Sequence, residues 1–208
     1  NHLVALNAMH GVYLASEHVT REEFRRAAEP WLRKLPALQA IGWHERFARE
    51  TLPAFEAGVR AEGLAGYRVF DRTDGLPPSQ DEIVAMRYVE PMQRNANALG
   101  VNVLAVPAAA AAVTAARQGD RAVASAGFRL TQEIGEQTGV VIYRPVYAGG
   151  GHRTPAPAER MGATLGLVFI TLRMDDTLQA LAQDLPVGLG ICLADTQAAP
   201  LAQTAQAA

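Results

Sequence analysis

Cysteine and lysine are scarce in this sequence of 208 residues, and their scarcity excludes several kinds of site. The single cysteine, Cys192, cannot form an intrachain disulfide or a cysteine-based zinc site. Because it stands among small and apolar residues, we expect a buried, unreactive thiol. The only lysine, Lys34, does not follow a glycine-rich loop, so the phosphate-binding loop of nucleotide-binding proteins is absent.

An excess of positive charge and a long hydrophobic run are lacking as well. The 19 Lys and Arg residues are balanced by 21 Asp and Glu residues, and the formal net charge is −2. Without a basic patch we expect no nucleic-acid partner. Residues 99–116 carry no charge, but Pro107 interrupts them and alanine supplies much of the stretch. This composition predicts a helix that lies on a core rather than one that spans a membrane.

The sequence also lacks the common signatures of catalysis. The Gly-x-Ser-x-Gly elbow of serine hydrolases does not occur, and His44-Glu45 lacks the second histidine of a zinc protease motif. His152 follows three glycines, and Asp175 and Asp176 open a predicted helix, where acids complement the helix dipole. We therefore expect no catalytic residue, no metal site and no cofactor. A binding domain is favoured, and an enzyme built from scattered residues is the alternative.

The first residues predict a helix with a narrow apolar seam. Leu3, Leu6, His10 and Tyr13 recur at alternating spacings of three and four residues. Such a seam is typical of a helix that pairs with a second copy of itself, so we expect a homodimer through this N-terminal helix.

Further helices are predicted between this seam and the first strands. Thr20 and Glu23 have the spacing of a capping box, which starts a second helix. Pro30 is acceptable in the first turn of another short helix. A charged helix is predicted over residues 45–62, with Phe47, Leu52, Phe55 and Val59 towards the core. Residues 1–65 are thus interpreted as a helical stalk.

The rest of the chain alternates between strands and helices. We expect strands over residues 67–70, 81–89, 122–124, 128–131, 139–147, 164–172 and 187–194, and helices over residues 91–100, 107–118 and 175–184. Because the strands cluster and the helices are inserted between them, the expected class is α+β with mainly antiparallel sheets. The stalk is followed by a larger unit over residues 66–148 and a smaller unit over residues 149–208.

Several segments follow one another in an order that resembles a known family. They are Ile41-Gly-Trp43, Arg87-Tyr-Val-Glu-Pro91, Leu99-Gly-Val-Asn102, Phe128-Arg-Leu-Thr-Gln-Glu133 and Val141-Ile-Tyr-Arg-Pro-Val-Tyr147. Together they resemble the CHASE domain, an extracytoplasmic sensor of bacterial and plant receptors. The resemblance covers residues 35–175.

The resemblance implies a fold and a function. In this family a long N-terminal helix precedes two PAS-like α/β units, and the membrane-distal unit, here residues 66–148, binds a small molecule. Members precede histidine kinase or nucleotide cyclase modules and have one transmembrane helix on each side. The resemblance therefore implies a periplasmic sensing domain of an inner-membrane receptor, which reaches the membrane only through segments outside this chain. A dimerisation module without a ligand is the further alternative.

The same resemblance suggests which residues bind the ligand. Plant relatives bind cytokinins, which are adenine derivatives, and an Asp that contacts the adenine corresponds to Asn102 here. An adenine-like ligand is therefore one candidate. Ala124 is the nearest match to an aliphatic pocket residue, and Arg144 replaces an aromatic residue before a proline.

Tyr88, Phe128 and Tyr143 complete the predicted ligand-binding set. Each predicted residue also has a structural interpretation. Asn102 could serve as a helix cap, Phe128 and Tyr143 as plain core residues, and Arg144 as a solvated surface residue.

Overall fold

The N-terminal part of the protein is helical, as the sequence predicts. In the computed structural model, helix α1 spans His2–Leu14 and helix α2 spans Arg21–Lys34. The Thr20 hydroxyl accepts a hydrogen bond from the backbone N–H of Glu23 (3.3 Å), and the Thr20 N–H donates to the Glu23 carboxylate (2.9 Å), so the predicted capping box is confirmed. The separate helix predicted from Pro30 is wrong. Pro30 lies inside α2, which stays continuous because its apolar side packs on the sheet.

The structure describes residues 2–77, 79–132, 135, 137–149, 154–183, 189–195 and 200–203. Within these ranges, six strands pair into one antiparallel sheet in the order β2-β1-β6-β5-β3, with β4 also paired to β5. These strands are β1 (Leu38–Ala48), β2 (Glu82–Glu90), β3 (Val123–Ala124), β4 (Phe128–Arg129), β5 (Thr138–Tyr147) and β6 (Thr164–Arg173). The expected α+β class with a mainly antiparallel sheet is confirmed.

The remaining elements connect or flank this sheet. The helices are α3 (Leu52–Ala61), α4 (Met92–Asn95), α5 (Pro107–Gly119), α6 (Arg160–Ala163) and α7 (Met174–Ala182), and short 3-10 turns cover Arg49–Thr51, Ala96–Ala98 and Val103–Ala105. A separate two-stranded sheet is formed by β7 (Cys192–Ala194) and β8 (Pro200–Gln203). In the described ranges, every helix is too short or too polar to cross a lipid bilayer.

The large sheet is buried on both faces. We call the face covered by α1, α2 and α7 the helix face, and the face covered by α5 and the turns before it the cavity face. The helix face packs an apolar cluster that includes Leu6, Met9, Phe24, Trp43 and Ile170. The cavity face packs a second cluster that includes Val84, Val113, Tyr143, Leu167 and Phe169. Burial on both faces explains why β5 and β6 are rich in consecutive apolar residues.

Strand β1 shows how side chains divide between the two faces. Side chains alternate along a strand, so Ile41 and Trp43 point to the helix face while Ala40 and His44 point to the cavity face. Hydrogen bonds to β2 on one side and β6 on the other fix this register.

A β-bulge adjusts the pairing of β1 with β2. Trp43 pairs with Tyr88, but His44 pairs with Met86, so Arg87 is the extra residue on β2. The Arg87 guanidinium instead binds the carboxylates of Glu45 and Glu62. The bulge therefore places Met86 beside His44 on the cavity face, and the charged side chain of Arg87 stays off that face.

Some predicted elements near β1 are corrected. The helix predicted over residues 45–62 is wrong at its start, because β1 continues to Ala48 and α3 begins only at Leu52. Pairing with β2 through Ala48, and with β6 through Glu45, outweighs the local pattern there. The strand predicted over residues 67–70 is absent, and Phe70 forms only an isolated bridge to Val101.

The prediction of a buried thiol is also wrong. Cys192 is exposed, because β7 pairs only with β8 at the edge of the fold and its alternate residue, Leu193, takes the inward position. The first residues of the strand predicted over 187–194 lie outside the described residues, as does His152.

The predicted dimer seam of α1 faces the protein's own sheet. Leu6 is fully buried, the Nε2 atom of His10 donates to the Pro145 carbonyl (2.9 Å), and the ring of Tyr13 stacks on Trp43 with centroids 3.9 Å apart. Only Leu3 of the seam remains exposed. Helix α1 is therefore part of the folded domain and covers β5 and β6.

The predicted division into three segments crosses the observed sheet. Strand β1 comes from residues 1–65, strands β2 to β5 come from residues 66–148, and β6 comes from residues 149–208. The segments thus share one sheet, and the domain boundaries themselves stay a prediction.

A buried ion pair ties α5 to β2. Arg117 is almost fully buried, and its guanidinium donates to both carboxylate oxygens of Glu82 (2.8 and 3.1 Å), to the Met161 carbonyl (2.6 Å) and to the Thr164 hydroxyl (3.2 Å). Arg46 donates to the same carboxylate (2.8 Å). Burial opposes ionisation of Glu82, but the hydrogen bonds from the two arginines outweigh it and lower the pKa of this carboxyl.

Glu82→Gln is expected to lower the free energy of unfolding by about 3 kcal/mol at neutral pH, because Arg117 then remains buried without a countercharge. The folded-state pKa of Glu82 lies below the unfolded value near 4.5. Its stabilisation is therefore present above that value and is lost as the pH falls through the folded-state pKa. Denaturant titrations across pH should show the two proteins converging in acid.

Glu29→Gln is the matched control, because Glu29 pairs with Arg33 on the exposed side of α2 and should contribute less than about 0.5 kcal/mol. A difference between the wild type and Glu82→Gln that stays constant from neutral to acid pH would contradict the role of this ion pair.

Candidate functional site

A small cavity lies against the cavity face of the sheet. Its free volume is about 30 Å³, which is room for one or two water molecules. Strands β1, β2, β5 and β6 form its floor, the segment from residue 98 to α5 forms its roof, and residues 128–132 form one side. The lining side chains are those of His44, Met86, Ala98, Val101, Val103, Val106, Ala109, Phe128, Leu130, Thr131, Gln132, Val141, Tyr143, Phe169 and Thr171.

His44 is the unusual member of this lining. Its side chain is almost fully buried, and neither ring nitrogen has a hydrogen-bond partner among the described residues. Its ring lies beside those of Phe169 and Tyr143, with centroids 4.4 and 5.8 Å away. Burial alone lowers the pKa of His44 to about 3, so the imidazole is neutral at physiological pH. A neutral imidazole offers one donor and one acceptor.

The other polar groups of the cavity are also uncharged. Burial raises the pKa of Tyr143, so its hydroxyl stays protonated. Thr171 is buried on the neighbouring strand, and Thr131 and Gln132 line the side wall. No Asp, Glu, Lys or Arg lines the cavity in the part of the chain that the structure describes. The site can therefore hold apolar surface and offer neutral hydrogen bonds.

The side wall of residues 128–132 has few backbone pairs to the sheet, and Arg72 also donates to its Arg129 carbonyl (2.9 Å). Strand β4 makes only two residue pairs with β5, whereas β5 and β6 pair along most of their length. The far end of the wall is held by Gln132, whose amide donates to the side-chain oxygen of the buried Asn95 (3.1 Å). Widening of the cavity is expected to begin at this wall.

Two of the predicted ligand-binding residues line this cavity. Phe128 comes from β4 and Tyr143 from β5, and they lie on different sides of the same space. A ligand contact by either residue stays a prediction.

Tyr88 and Arg144 lie on the other face of the sheet. The Tyr88 hydroxyl donates to the Val19 carbonyl (3.2 Å), and its ring packs against Phe24 of α2. Arg144 donates to the Asp120 carbonyl (3.2 Å) and is partly exposed. Because strand residues alternate, Arg144 must face away from the side that Tyr143 occupies. The structure thus places Tyr88 and Arg144 outside the lining of the cavity that Tyr143 borders, and a ligand contact by either stays a prediction.

Asn102 is fully buried, and its amide is engaged within the protein. The side-chain oxygen accepts from the backbone N–H groups of Val84 (3.2 Å) and Leu104 (3.3 Å), and the side-chain nitrogen donates to Asp71 (2.7 Å). Asn102 thus caps the 3-10 turn Val103–Ala105 and joins it to β2. The structure places it outside the cavity lining and favours the structural interpretation.

Ala124 is exposed on the short edge strand β3. Its neighbours point inward instead: Val123 packs with the cavity-face cluster, and the hydroxyl of the buried Ser125 accepts from the Val141 N–H (3.1 Å). The structure thus places Ala124 outside the lining of this cavity, and a ligand contact by it stays a prediction.

Sequence reasoning considered His44 only as half of a zinc protease motif. One signal could have identified it: His44 follows two small residues, Ala40 and Gly42, at a spacing of two on the same face of β1. Thr171 occupies the equivalent alternating position after Phe169 in β6. These two residues meet only because their strands are neighbours in the sheet. The order of strands cannot be read from the local sequence.

A larger recess of about 230 Å³ lies on the helix face, where the turn between α1 and α2 meets β1 and β2. Tyr13, Trp43, Glu45, Arg87 and Tyr88 are among its lining residues. The Tyr13 hydroxyl is buried without a hydrogen-bond partner in the described part of the chain. The sheet separates this recess from the cavity, and Trp43 and His44 are adjacent in β1.

The family model of the CHASE domain matches residues 17–204, nearly the whole chain. This protein belongs to the CHASE domain family. CHASE domains are extracytoplasmic sensor domains of membrane receptors, and the family is sensory rather than catalytic. No curated protein matches the chain significantly.

The cavity of this CHASE domain can be probed with two alanine-to-leucine changes. Ala109 lines the cavity from α5 and is almost fully buried, so Ala109→Leu should overpack the site and lower the free energy of unfolding by about 1–3 kcal/mol. Ala124→Leu is the control and should stay within about 0.5 kcal/mol of the wild type, because Ala124 is exposed. Denaturant unfolding measures both, and equal losses would contradict this assignment of the lining.

Proposed function

We propose that this CHASE domain senses a small molecule for a transmembrane signalling receptor and holds it in the cavity around His44. The observation that carries the proposal is a cavity between a sheet and a helix, lined mostly by apolar side chains, with an unpartnered polar group inside among the described residues. Binding sites for small molecules have this composition. Membership of a sensor family supports the same interpretation.

The proposed setting follows from the family. The domain is periplasmic, it belongs to an inner-membrane receptor, and it reaches the membrane only through segments outside this chain. The receptor's output is a cytoplasmic histidine kinase or nucleotide cyclase. The PAS-like ligand-binding unit is residues 66–148, with the neighbouring strands β1 and β6 completing its sheet.

The ligand must widen the cavity when it binds. A free volume of about 30 Å³ admits water but no aromatic ring. The weakly paired wall of residues 128–132 is the part that can yield. An adenine-like ligand remains within this proposal, but Asn102 does not recognise it in the present arrangement, because its amide is bonded to Val84, Leu104 and Asp71.

Amide NMR titration of the domain with phenol, indole and adenine tests the proposed site. We expect at least one of these probes to shift the signals of residues 141–143 and 169–171, which form the cavity floor. Ala109→Leu should abolish these shifts, because it fills the cavity, whereas Ala124→Leu should retain them. Shifts that are absent with every probe, or unchanged in Ala109→Leu, would overturn the proposal.

The proposed homodimer must use a different face of α1 from the one that the seam predicts. The sheet packs against Leu6, His10 and Tyr13, while Leu3 and Val4 are more than half exposed. The exposed row of Leu3, Val4 and Leu14 is the apolar surface that α1 offers to a second copy.

Cysteine crosslinking in the full-length protein tests this face. In a Cys192→Ser background, Val4→Cys should form a disulfide-linked dimer, because the two copies of α1 would approach there. Arg26→Cys, at an exposed position on α2 away from this row, is the control and should stay monomeric. Crosslinking of both variants to the same extent, or of neither, would contradict a dimer through α1.

A further inference from the structure

We propose that the His44 imidazole is the hydrogen-bonding group that recognises the ligand, and that the ligand is an uncharged molecule with a flat apolar body. This inference rests on the proposed function, since it takes the cavity as the ligand site. It adds a recognition residue outside the predicted set and a chemical class for the ligand.

The first argument is the lack of partners for His44. A buried polar group without a hydrogen bond destabilises the fold, and an apolar residue of similar size would pack there without that cost. Both ring nitrogens of His44 lack a partner among the described residues, although the side chain is almost fully buried. A ligand group that enters the cavity would supply the missing partner.

The second argument is the electrostatics of the lining. The described lining residues include no acid, lysine or arginine, and burial keeps His44 neutral by lowering its pKa to about 3. A carboxylate or ammonium group would lose its hydration there without meeting an opposite charge. An uncharged ligand that presents one donor or acceptor to the imidazole avoids this loss.

The third argument is the shape of the space beside His44. A Cβ atom at Gly42 would overlap the ring of Phe169, so the glycine allows that ring to lie across β1 next to the imidazole. The Phe169 ring is inclined by 38° to His44 in the cavity floor, and Phe128 belongs to the side wall. Aromatic side chains on both the floor and the wall favour a flat ligand.

A buried water molecule is the competing explanation. The cavity has room for one or two waters, and Thr171 and Tyr143 lie in the same lining. A water would satisfy His44 without giving it any role in ligand choice. The two explanations differ in whether His44 discriminates between probes of the same shape.

Measuring how tightly the folded domain binds phenol and toluene distinguishes ligand recognition by His44 from a buried water. The two probes share a ring and differ in the hydroxyl group. The ratio of the phenol affinity to the toluene affinity should fall about tenfold in His44→Phe, since phenylalanine keeps the aromatic shape but removes both nitrogens. His18→Phe is the matched control, because it makes the same change at an exposed residue outside the cavity lining, and the ratio should stay unchanged in it. Benzoate and benzylammonium should bind the wild type more weakly than phenol.

A measurement on the wild type covers the case in which His44→Phe does not fold. The ring nitrogen signals of His44 should show a neutral imidazole, and saturating phenol should shift one of them strongly while toluene should not. Equal shifts with both probes would overturn the recognition role.

The outcomes separate this inference from the function on which it rests. If the wild type binds none of these four probes and neither indole nor adenine, the cavity is not a ligand site, and both proposals fail. If phenol and toluene bind but their affinity ratio is the same in His44→Phe, only the recognition role of His44 fails, and the water explanation holds. If benzoate or benzylammonium binds more tightly than phenol, the uncharged class is wrong.

Discussion

The alternation of side chains along β1 is the constraint on which the rest of the structure depends. This strand is hydrogen-bonded to β2 and β6, and both faces of the sheet are buried there. A shift of its register by one residue would exchange the faces of every side chain. Trp43 would then lose Tyr13 of α1, and His44 would leave the cavity. The packing of α1 and the composition of the cavity are therefore fixed by the same register.

This register also relates the cavity beside His44 to the N-terminal helix. Trp43 stacks on Tyr13 of α1, and the next residue, His44, lines the cavity. The bulge at Arg87 interrupts the regular pairing at this point, and bulges allow a strand to bend locally. In our account, a ligand that displaces His44 changes the position of Trp43, and through it the packing of α1. A shift of α1 follows only if the ligand binds one arrangement of α1 better than the other.

The sequence predicts correctly those elements that depend only on local patterns of residues. The Thr20 capping box, the alanine-rich helix after Pro107 and the apolar strands β5 and β6 are all confirmed. The sequence predicts helix from Glu45 onwards because Phe47 and later apolar residues can lie on one helix side, while the structure extends β1 through Ala48. Its partners on β2 lie about 40 residues away along the chain, so the local sequence carries no signal of that pairing.

The residues of the candidate site also differ in how far the sequence predicts them. Phe128 and Tyr143 stand in segments that carry the family resemblance, and both line the cavity. Asn102 and Ala124 occupy matching positions as well, but Asn102 is used for capping and Ala124 is exposed. His44 and Thr171 enter the site only because β1, β6 and β5 lie side by side.

The most direct test of the account uses the two tryptophans of the chain, Trp31 and Trp43. With 5-fluorotryptophan labelling, each gives one ¹⁹F signal, and Trp31→Phe assigns them. Saturating phenol should shift the Trp43 signal and leave that of Trp31 in α2 unchanged, and Ala109→Leu should abolish the shift. A Trp43 signal that stays in place while amide signals of the cavity floor report full occupancy would contradict coupling through β1.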